Sequence, residues 1–398
     1  MHGYRHGRST ETALLSMYDR WVKSAAGGQF SGAIVLDLSS AFDLVDPSLL
    51  LQKLKIYGLE DDSLEWINTY LTGRFQAVWL DHVLSDFLET KVGVPQGSNL
   101  GPLFFLIFFN DLSEVLENSM DNYADDTTLT ASGSSIYEIE TKLTSDCSAV
   151  SNWMLQNKLK LNPDKTHAMT LSTEHRLRHL ASPLEVLMDG VILREDPNGS
   201  EVLLGCHIQA NLKWDKQVSA VIDKLNTRLT GLRTIQGIAP FHVKNMVIQG
   251  VFNSIIVYCL PLYGGIDKGK LRSLQLLQNK AARIATSMPR WTSRDSMFSK
   301  LGWLTVQQLI FYHTALSVFK IKKNNQPEYL ATLLNQDSRN GRIMIPNLNL
   351  QACRLSFTIR GADTWNQLPR SLRDQNSLNI FKKSLKKWVK LNVSRFPV

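Results

Sequence analysis

The sequence predicts an α+β fold in which an antiparallel sheet with packed helices gives way to a helical second half. Three observations predict it. Up to about residue 208, short apolar or alternating runs are separated by turn residues, the pattern of strands and hairpins. Beyond Trp214, Val218, Val221, Ile222, Leu225, Leu229 and Leu232 recur at helical spacing. Charge divides in a similar way. Residues 1–130 hold 8 Lys and Arg against 18 Asp and Glu, and the remainder 36 against 18, so an acidic first part precedes a strongly basic one.

Taken in order, Gly32 to Leu38 reads as a buried strand. Asp46 caps a helix that has Pro47 at its first position and is closed by Gly58. A second helix runs from about Asp62 to Leu71, and alternation over Gln76–Leu80 and Phe87–Val92 predicts a hairpin. The loop GVPQGSN leads into a helix expected to bury Leu103, Phe104, Ile107 and Phe108. Met120–Thr130 reads as a second hairpin with Ala124-Asp125-Asp126 at its tip. A helix through Cys147 to Leu155 follows, then a turn and strand in LKLNPDKTHAMTLS. Asp189-Gly190 marks a further hairpin in LEVLMDGVILRE, and EVLLGCHI reads as a strand. Helices are expected over 241–258, 268–287 and 305–322, a loop over 324–350, and a basic helix from Ile380 to Lys390.

At 398 residues the chain can bury a large core and divide into two or three units. Its four cysteines lie far apart with no CxxC pair, which points to a reducing interior and away from a disulfide framework or zinc knuckle. The opening MHGYRHGRST lacks the apolar core of a signal peptide. The most apolar run, Leu100 to Phe109, is about half the length needed to span a bilayer. The expectation is a soluble intracellular protein without membrane contact.

The chemistry is expected at three carboxylates. Asp37 ends the apolar run AIVLD, and Asp125 and Asp126 sit together on a tight turn 88 residues later. Like charges held close repel, so such a cluster is costly unless a cation lies among them. A pair of divalent ions about 4 Å apart is a standard device for in-line displacement at phosphorus. The carboxylates therefore read as those of a nucleotidyl transferase, and the basic second half as a surface for a phosphate backbone.

The order of strand with Asp, helices, Gly-rich loop, helix and double-Asp hairpin is that of a polymerase palm. The sequence resembles the reverse transcriptases of non-LTR retrotransposons of the LINE and jockey kind. HGYRHGRSTETAL resembles their finger segment, AIVLDLSSAFDLVD their first palm motif and GVPQGSNLGPLFFLIFFNDL their second. NYADDTTL is similar to the third, LKLNPDKT to the fourth and LLGCHI to the primer-contacting segment. LQNKAARIAT, LGWLTVQQL and ADTWNQLPRSLR look like the helical tail of such elements, so the likeness covers nearly the whole chain.

The resemblance implies a right-hand polymerase: partial fingers and palm over 1–208, a thumb-like helical region over 209–290, and a basic helical region over 291–398. It implies RNA-directed DNA synthesis that extends a DNA primer or target end on an RNA template with deoxynucleoside triphosphates, in the target-primed mode. Asp37 and Asp125 would ligate two Mg2+ ions, with Mn2+ as an alternative, Asp126 being a weaker ligand and the Leu38 carbonyl completing one sphere. Phe42 would lie beneath the sugar and exclude a 2′-hydroxyl, against a reading as core packing. Pro95, Gln96 and Gly97 would pass under the incoming base and template, Gly97 permitting close backbone approach, against a plain turn. Lys165 would stand near the departing pyrophosphate as a cation or general acid, against a solvated turn lysine. Arg5, Arg8 and Ser9 match finger residues near the template, against surface contacts. Leu204 and Gly205 match the primer contact, and His207 reads as structural. Trp291, Trp303 and Trp365 would be base-stacking or core, and Lys382, Lys383, Lys386 and Lys387 a basic helix face. A nuclear and cytoplasmic ribonucleoprotein is the implied setting.

Met1 occupies the place where the family usually has Gln. The expectation is that a finger block with a triphosphate-gripping base, and an endonuclease domain, belong upstream, and that nucleotide binding is weaker without that charge-assisted clamp. The rival readings are a non-catalytic RNA-binding remnant or adopted host protein, and a telomerase-like or intron-encoded enzyme, neither of which the tail resembles.

Overall fold

The computed structural model describes residues 2–38, 41–162, 165–180, 182–196, 199–334, 337–338, 341–345 and 356–396. Contacts group the chain into two compact units that interleave in sequence. One, the sheet unit, comprises Met1–Ser9, Gly28–Leu171 and His175–Gly199. The other, the helical unit, comprises Thr10–Gly27, Ser172–Glu174 and Ser200–Val398.

The first helix, α1 (Thr10–Ala26), belongs to the helical unit. The chain continues through β1 (Phe30–Leu36), α2 (Pro47–Ile56), α3 (Asp61–Leu71), β2 (Arg74–Gln76), β3 (Trp79–Leu80), β4 (Val83–Leu84), β5 (Leu88–Thr90) and α4 (Gly101–Phe109). It goes on through β6 (Ser119–Tyr123), β7 (Asp126–Gly133), α5 (Ile136–Gln156), β8 (His167–Leu171), α6 (Glu174–Arg178), β9 (Val186–Met188) and β10 (Val191–Leu193). As expected, Asp46 caps α2 by accepting from the Leu49 N–H, with Pro47 at the first turn.

The central sheet has the order β6-β7-β1-β8, and each neighbouring pair is antiparallel. β1 pairs with β7 from Phe30 opposite Gly133 to Leu36 opposite Thr127, so the ends of β1 and of the β6–β7 hairpin lie side by side. Helix α5 crosses this sheet closely: a Cβ on Gly32 would lie 2.4 Å from Ile139 Cγ2 and 2.8 Å from Leu143 Cδ1. The core joins Ile34, Leu36 and Leu129 of the sheet to Leu143, Val150 and Trp153 of α5 and the phenylalanines of α4.

Helix α4 corrects one expectation. Phe104, Phe105, Phe108 and Phe109 are buried, whereas Leu103 is 48% exposed and Ile107 half-buried. In a helix that is apolar all round, periodicity does not say which face turns inward. The expected hairpin near residue 80 is present as β2 paired with β5 and β3 paired with β4 at its tip.

In the helical unit, EVLLGCHI is not one strand but part of a hairpin, β11 (Ser200–Leu203) and β12 (Cys206–Gln209). Its turn places Leu204 and Gly205 at positive φ, 46° and 78°. Then follow α7 (Asp215–Thr234), α8 (Phe241–Ile248), a π-helical turn (Gln249–Asn253), α9 (Ser254–Val257), α10 (Leu260–Tyr263) and α11 (Lys268–Thr286). The π turn interrupts the single helix expected over 241–258. The unit ends with α12 (Arg294–Leu301), α13 (Val306–Asn324), α14 (Glu328–Leu334), α15 (Phe357–Asn366), α16 (Arg370–Arg373) and α17 (Leu378–Leu391). Helix α14 overturns the loop expected from 324. Seven residues are too few for periodicity to show, yet Leu330, Ala331 and Leu334 are buried. The rest of that expected loop includes residues 335–336, 339–340 and 346–350, which lie outside the described ones. Among the described residues, no helix is long and apolar enough to cross a membrane.

Candidate active site

The register of the sheet builds the site. Leu36 is paired with Thr127 at the end of the ladder, and Asp37 follows the one residue while Asp126 precedes the other, so both lie at that end of the sheet. The hairpin tip turns through Ala124, which adopts the left-handed conformation at φ 57°, and presents Asp125 and Asp126 on the exposed side of the turn. Asp126 feels this arrangement. Its carboxyl is pushed above the ordinary range, first by partial burial, then by the negative charges of Asp125 and Asp37. Residues 88 positions apart thus share one electrostatic environment.

Asp37 is held in place by its backbone, since its carbonyl accepts from the Asn162 N–H at 3.0 Å and Leu38 forms an isolated antiparallel bridge with Leu161. The same connection returns Lys165, whose Nζ lies 4.0 Å from Asp37 Oδ2. Both side chains are well exposed, so the pair is a weak tether. Pro163 and Asp164 between them lie outside the described residues.

Phe42 is half-buried in the short 3₁₀ turn Ala41–Asp43 and stacks on Phe105, with centroids 4.3 Å apart and planes at 15°. The Pro95-Gln96-Gly97 loop is laced to that turn. The Gly93 N–H donates to Val45 O at 2.7 Å, the Val94 N–H to Phe42 O at 3.0 Å, and Gln96 Nε2 to Asp43 Oδ1 at 2.6 Å. Gly97 has φ 79° and nothing within 4 Å of where a Cβ would stand, so its backbone is open to an approaching group. Arg5 Nη2 donates to Asn110 Oδ1 at 3.2 Å.

Residues 1–231 match the family model described as reverse transcriptase (RNA-dependent DNA polymerase). The chain belongs to the reverse transcriptase family. Among curated relatives, it is 25% identical over 342 residues to the probable RNA-directed DNA polymerase from transposon BS of Drosophila melanogaster, covering 81% of this chain and 36% of that protein. It is 24% identical over 319 residues to the RNA-directed DNA polymerase from mobile element jockey of the same fly, covering 75% and 34%. The chain therefore spans about a third of the length of the curated relatives it matches. Both names agree with the non-LTR resemblance. A solved telomerase from Candida albicans, in complex with a TWJ fragment of telomeric RNA, aligns with 14% identity and a TM-score of 0.40, over 96% of this chain and 54% of that one.

In this chain the sheet unit holds Asp37, Asp125, Asp126 and Lys165, and ties the Phe42 turn to the Gln96 loop. Leu204 and Gly205 fall in the helical unit, where the Leu204 carbonyl accepts from Tyr258 OH at 2.6 Å. Of the three tryptophans, Trp303 and Trp365 are core, while Trp291 is 87% exposed. The His207 ring is half-buried and its backbone N–H donates to Gln217 Oε1 at 2.9 Å, a structural placement.

Among the described residues, no three His, Cys, Asp or Glu side chains are close enough to hold a metal ion as they stand. The donor chemistry nevertheless suits a hard divalent cation. The oxygens are carboxylate, and the Asp126 carboxyl is pushed up by partial burial and then by the negative charges of Asp125 and Asp37, which a cation among them would offset.

Sequence reasoning missed Asn122. Its buried amide Nδ2 donates to Ala124 O at 2.7 Å and to Thr127 Oγ1 at 2.8 Å, bracing the turn from within. An Asn two residues before a left-handed position is a signal that could have found it.

Proposed function

We propose that the chain is the polymerase module of a non-LTR retrotransposon, extending a DNA primer on an RNA template. The observation that carries this is the single environment shared by Asp37, Asp125 and Asp126, read off the β1–β7 register and the raised Asp126 carboxyl. Asp37 and Asp125, with Asp126 beside them, would hold two magnesium ions, which supply charge neutralisation at the attacking and leaving oxygens. Phe42, backed by Phe105, would form a rigid floor under the sugar and leave no room for a 2′-hydroxyl. Gly97 would let template or base approach the backbone, with Gln96 fixed by Asp43. Lys165 would offer its ammonium near Asp37, where a departing pyrophosphate gains from a positive charge.

In this reading residues 1–208 act as fingers and palm, and the basic helices from 209 onward grip the hybrid through phosphates. Target-primed synthesis in a nuclear and cytoplasmic ribonucleoprotein is the setting that this reading proposes.

The test is deoxythymidylate incorporation on a poly(rA)/oligo(dT) duplex with magnesium. Incorporation that disappears in Asp125→Ala is the expected result. No incorporation by the chain, alone or extended at its N-terminus by its relatives' finger block, overturns the proposal. RNA binding that persists in the Asp37→Ala, Asp125→Ala double variant with an unchanged cellular effect would then mark a binding protein.

A further inference from the structure

The segment His2-Gly3-Tyr4-Arg5 runs against three parts of the site at once. The His2 N–H donates to Asn122 O at 2.6 Å, and the buried His2 ring lies 3.7 Å from Asp121. A Cβ on Gly3 would stand 2.5 Å from the backbone nitrogen of Ala124 and 3.3 Å from Ala124 Cα and the Tyr123 carbonyl carbon. The Tyr4 ring meets Phe42 edge-on, with centroids 6.3 Å apart, and Arg5 bonds to Asn110. Ala124 needs such support. It is a non-glycine residue in the left-handed region, φ 57°, and such strain persists only where surrounding structure over-determines it. Asn122 holds the turn from the hairpin side through the Ala124 carbonyl. Gly3 presses on the Ala124 nitrogen from the other.

We infer that His2-Gly3 is a positioning strap that sets the Asp125–Asp126 turn in register with Asp37, with Gly3 admitting no side chain because the turn's backbone fills that place. The inference rests on the polymerase reading for its catalytic consequence. Its structural claim concerns only the geometry of the carboxylate turn.

In Gly3→Ala the new methyl meets backbone, which cannot swing aside as a flexible side chain would. Either the strap lifts off the turn or the turn shifts relative to Asp37. Both release Ala124 from one of its two supports and alter the spacing of the carboxylates. A misplacement of about 1 Å in a reacting constellation costs on the order of a hundredfold in rate.

The experiment measures Mn2+ binding to the full chain by electron paramagnetic resonance, and single-nucleotide incorporation on poly(rA)/oligo(dT). The variants are Gly3→Ala, a chain lacking His2 and Gly3, Asp125→Ala as reference, and Gly231→Ala as control. Gly231 lies in α7 with nothing near its Cβ position. The strap predicts that Gly3→Ala weakens Mn2+ binding at least threefold and lowers kcat ten- to a hundredfold. KM for template–primer and the melting temperature should stay near those of Gly231→Ala. The deletion should move both readouts in the same direction, which covers the case in which Gly3→Ala does not fold. Unchanged Mn2+ affinity and kcat in Gly3→Ala, where Asp125→Ala loses both, overturns the strap and leaves the polymerase reading standing. If Asp125→Ala changes neither readout, the polymerase reading itself fails. In that case Mn2+ binding insensitive to strap removal overturns the structural claim too.

Discussion

The two units hold their shifted carboxylates in different ways. In the helical unit Glu11 and Asp19 are drawn in against hydrogen-bond donors. Glu11 accepts from Ser317 Oγ at 2.6 Å, and Asp19 accepts from the Thr358 N–H and hydroxyl. Arg360 donates to the carbonyls of Pro261 and Leu262 at 2.6 and 3.0 Å. In the sheet unit the carboxylates of interest stand at the rim of an aromatic and aliphatic core, crowded against one another. Burial also raises the carboxyls of Glu11 and Asp19 and lowers the Arg360 guanidinium to about 10, so a shifted acidity does not by itself mark a site. The cause separates the cases. Glu11 and Asp19 resist ionising through burial and are eased by hydrogen bonds, whereas Asp126 is pushed further by its own like-charged neighbours.

The sharpest way to break this contrast is to remove a crowded carboxylate. Asp125→Ala takes away an exposed side chain that the fold does not need, so its melting temperature should match the parent's. Nucleotide incorporation should fall by about a thousandfold or more, since lost metal-borne charge stabilisation amounts to several kcal/mol. A variant that lost stability and activity together would put Asp125 on the structural side of the comparison.

The opposite effect is expected at Gln275. Its Oε1 accepts from the Val306 N–H at 2.8 Å, and its Nε2 donates to Gln278 and Asn279. Gln275→Leu keeps the bulk but strands a buried donor and acceptors, at a cost of about 2–3 kcal/mol. A fall in melting temperature of about 5 °C in a calorimetric scan is the expected outcome. No fall would mean that the buried network is dispensable.

How much of this was readable beforehand follows the same division. The Asp46-Pro47 cap and the Asp189-Gly190 turn are local signals, and both appear where expected, whereas the turn inside EVLLGCHI escapes a reading as one strand. The carboxylate hairpin is legible because its chemistry is concentrated in two adjacent residues, Asp125 and Asp126, at one turn. Helix α1 begins inside the segment that the resemblance reads only as a finger motif, although Leu14, Tyr18, Trp21, Val22 and Ala25 recur at helical spacing against Thr12, Ser16, Arg20 and Lys23. Its polar anchors, Tyr18 OH to Leu212 O at 2.7 Å and Asp19 to Thr358, reach about 200 and 340 positions along the chain. No local pattern reports them. The inward face of α4 is hidden because that helix is apolar all round, and the Asn122 brace depends on the turn's actual dihedrals.

Phe42 tests whether the aromatic rim acts on the substrate or only completes the core. Phe42→Val keeps an apolar side chain on Phe105 but withdraws the ring. Discrimination against ribonucleotides should relax by about ten- to a hundredfold, the usual worth of a steric contact in a pocket. The ratio of dTTP to UTP incorporation on poly(rA) measures it. An unchanged ratio with reduced stability would assign Phe42 to packing.

The smallest effect is expected at Asp126, and there the sign is the informative part. A carboxyl whose folded pKa is raised favours its protonated form in the fold. Its contribution to stability is therefore present below the ordinary carboxylate range and is lost as pH rises through that range to the raised value. Asn resembles the protonated form at every pH. Metal-free Asp126→Asn should melt about 1 °C above the parent at pH 7, a modest figure because the group is well exposed and screened. The difference should vanish near pH 3.5. Added Mg2+ should reverse the order, because a cation among the carboxylates stabilises the parent and finds one charge fewer in the variant. A metal-free variant that melted below the parent at neutral pH would show that favourable partners hold Asp126. The crowding that sets the sheet unit's rim apart from the helical unit's interior would then have to be abandoned.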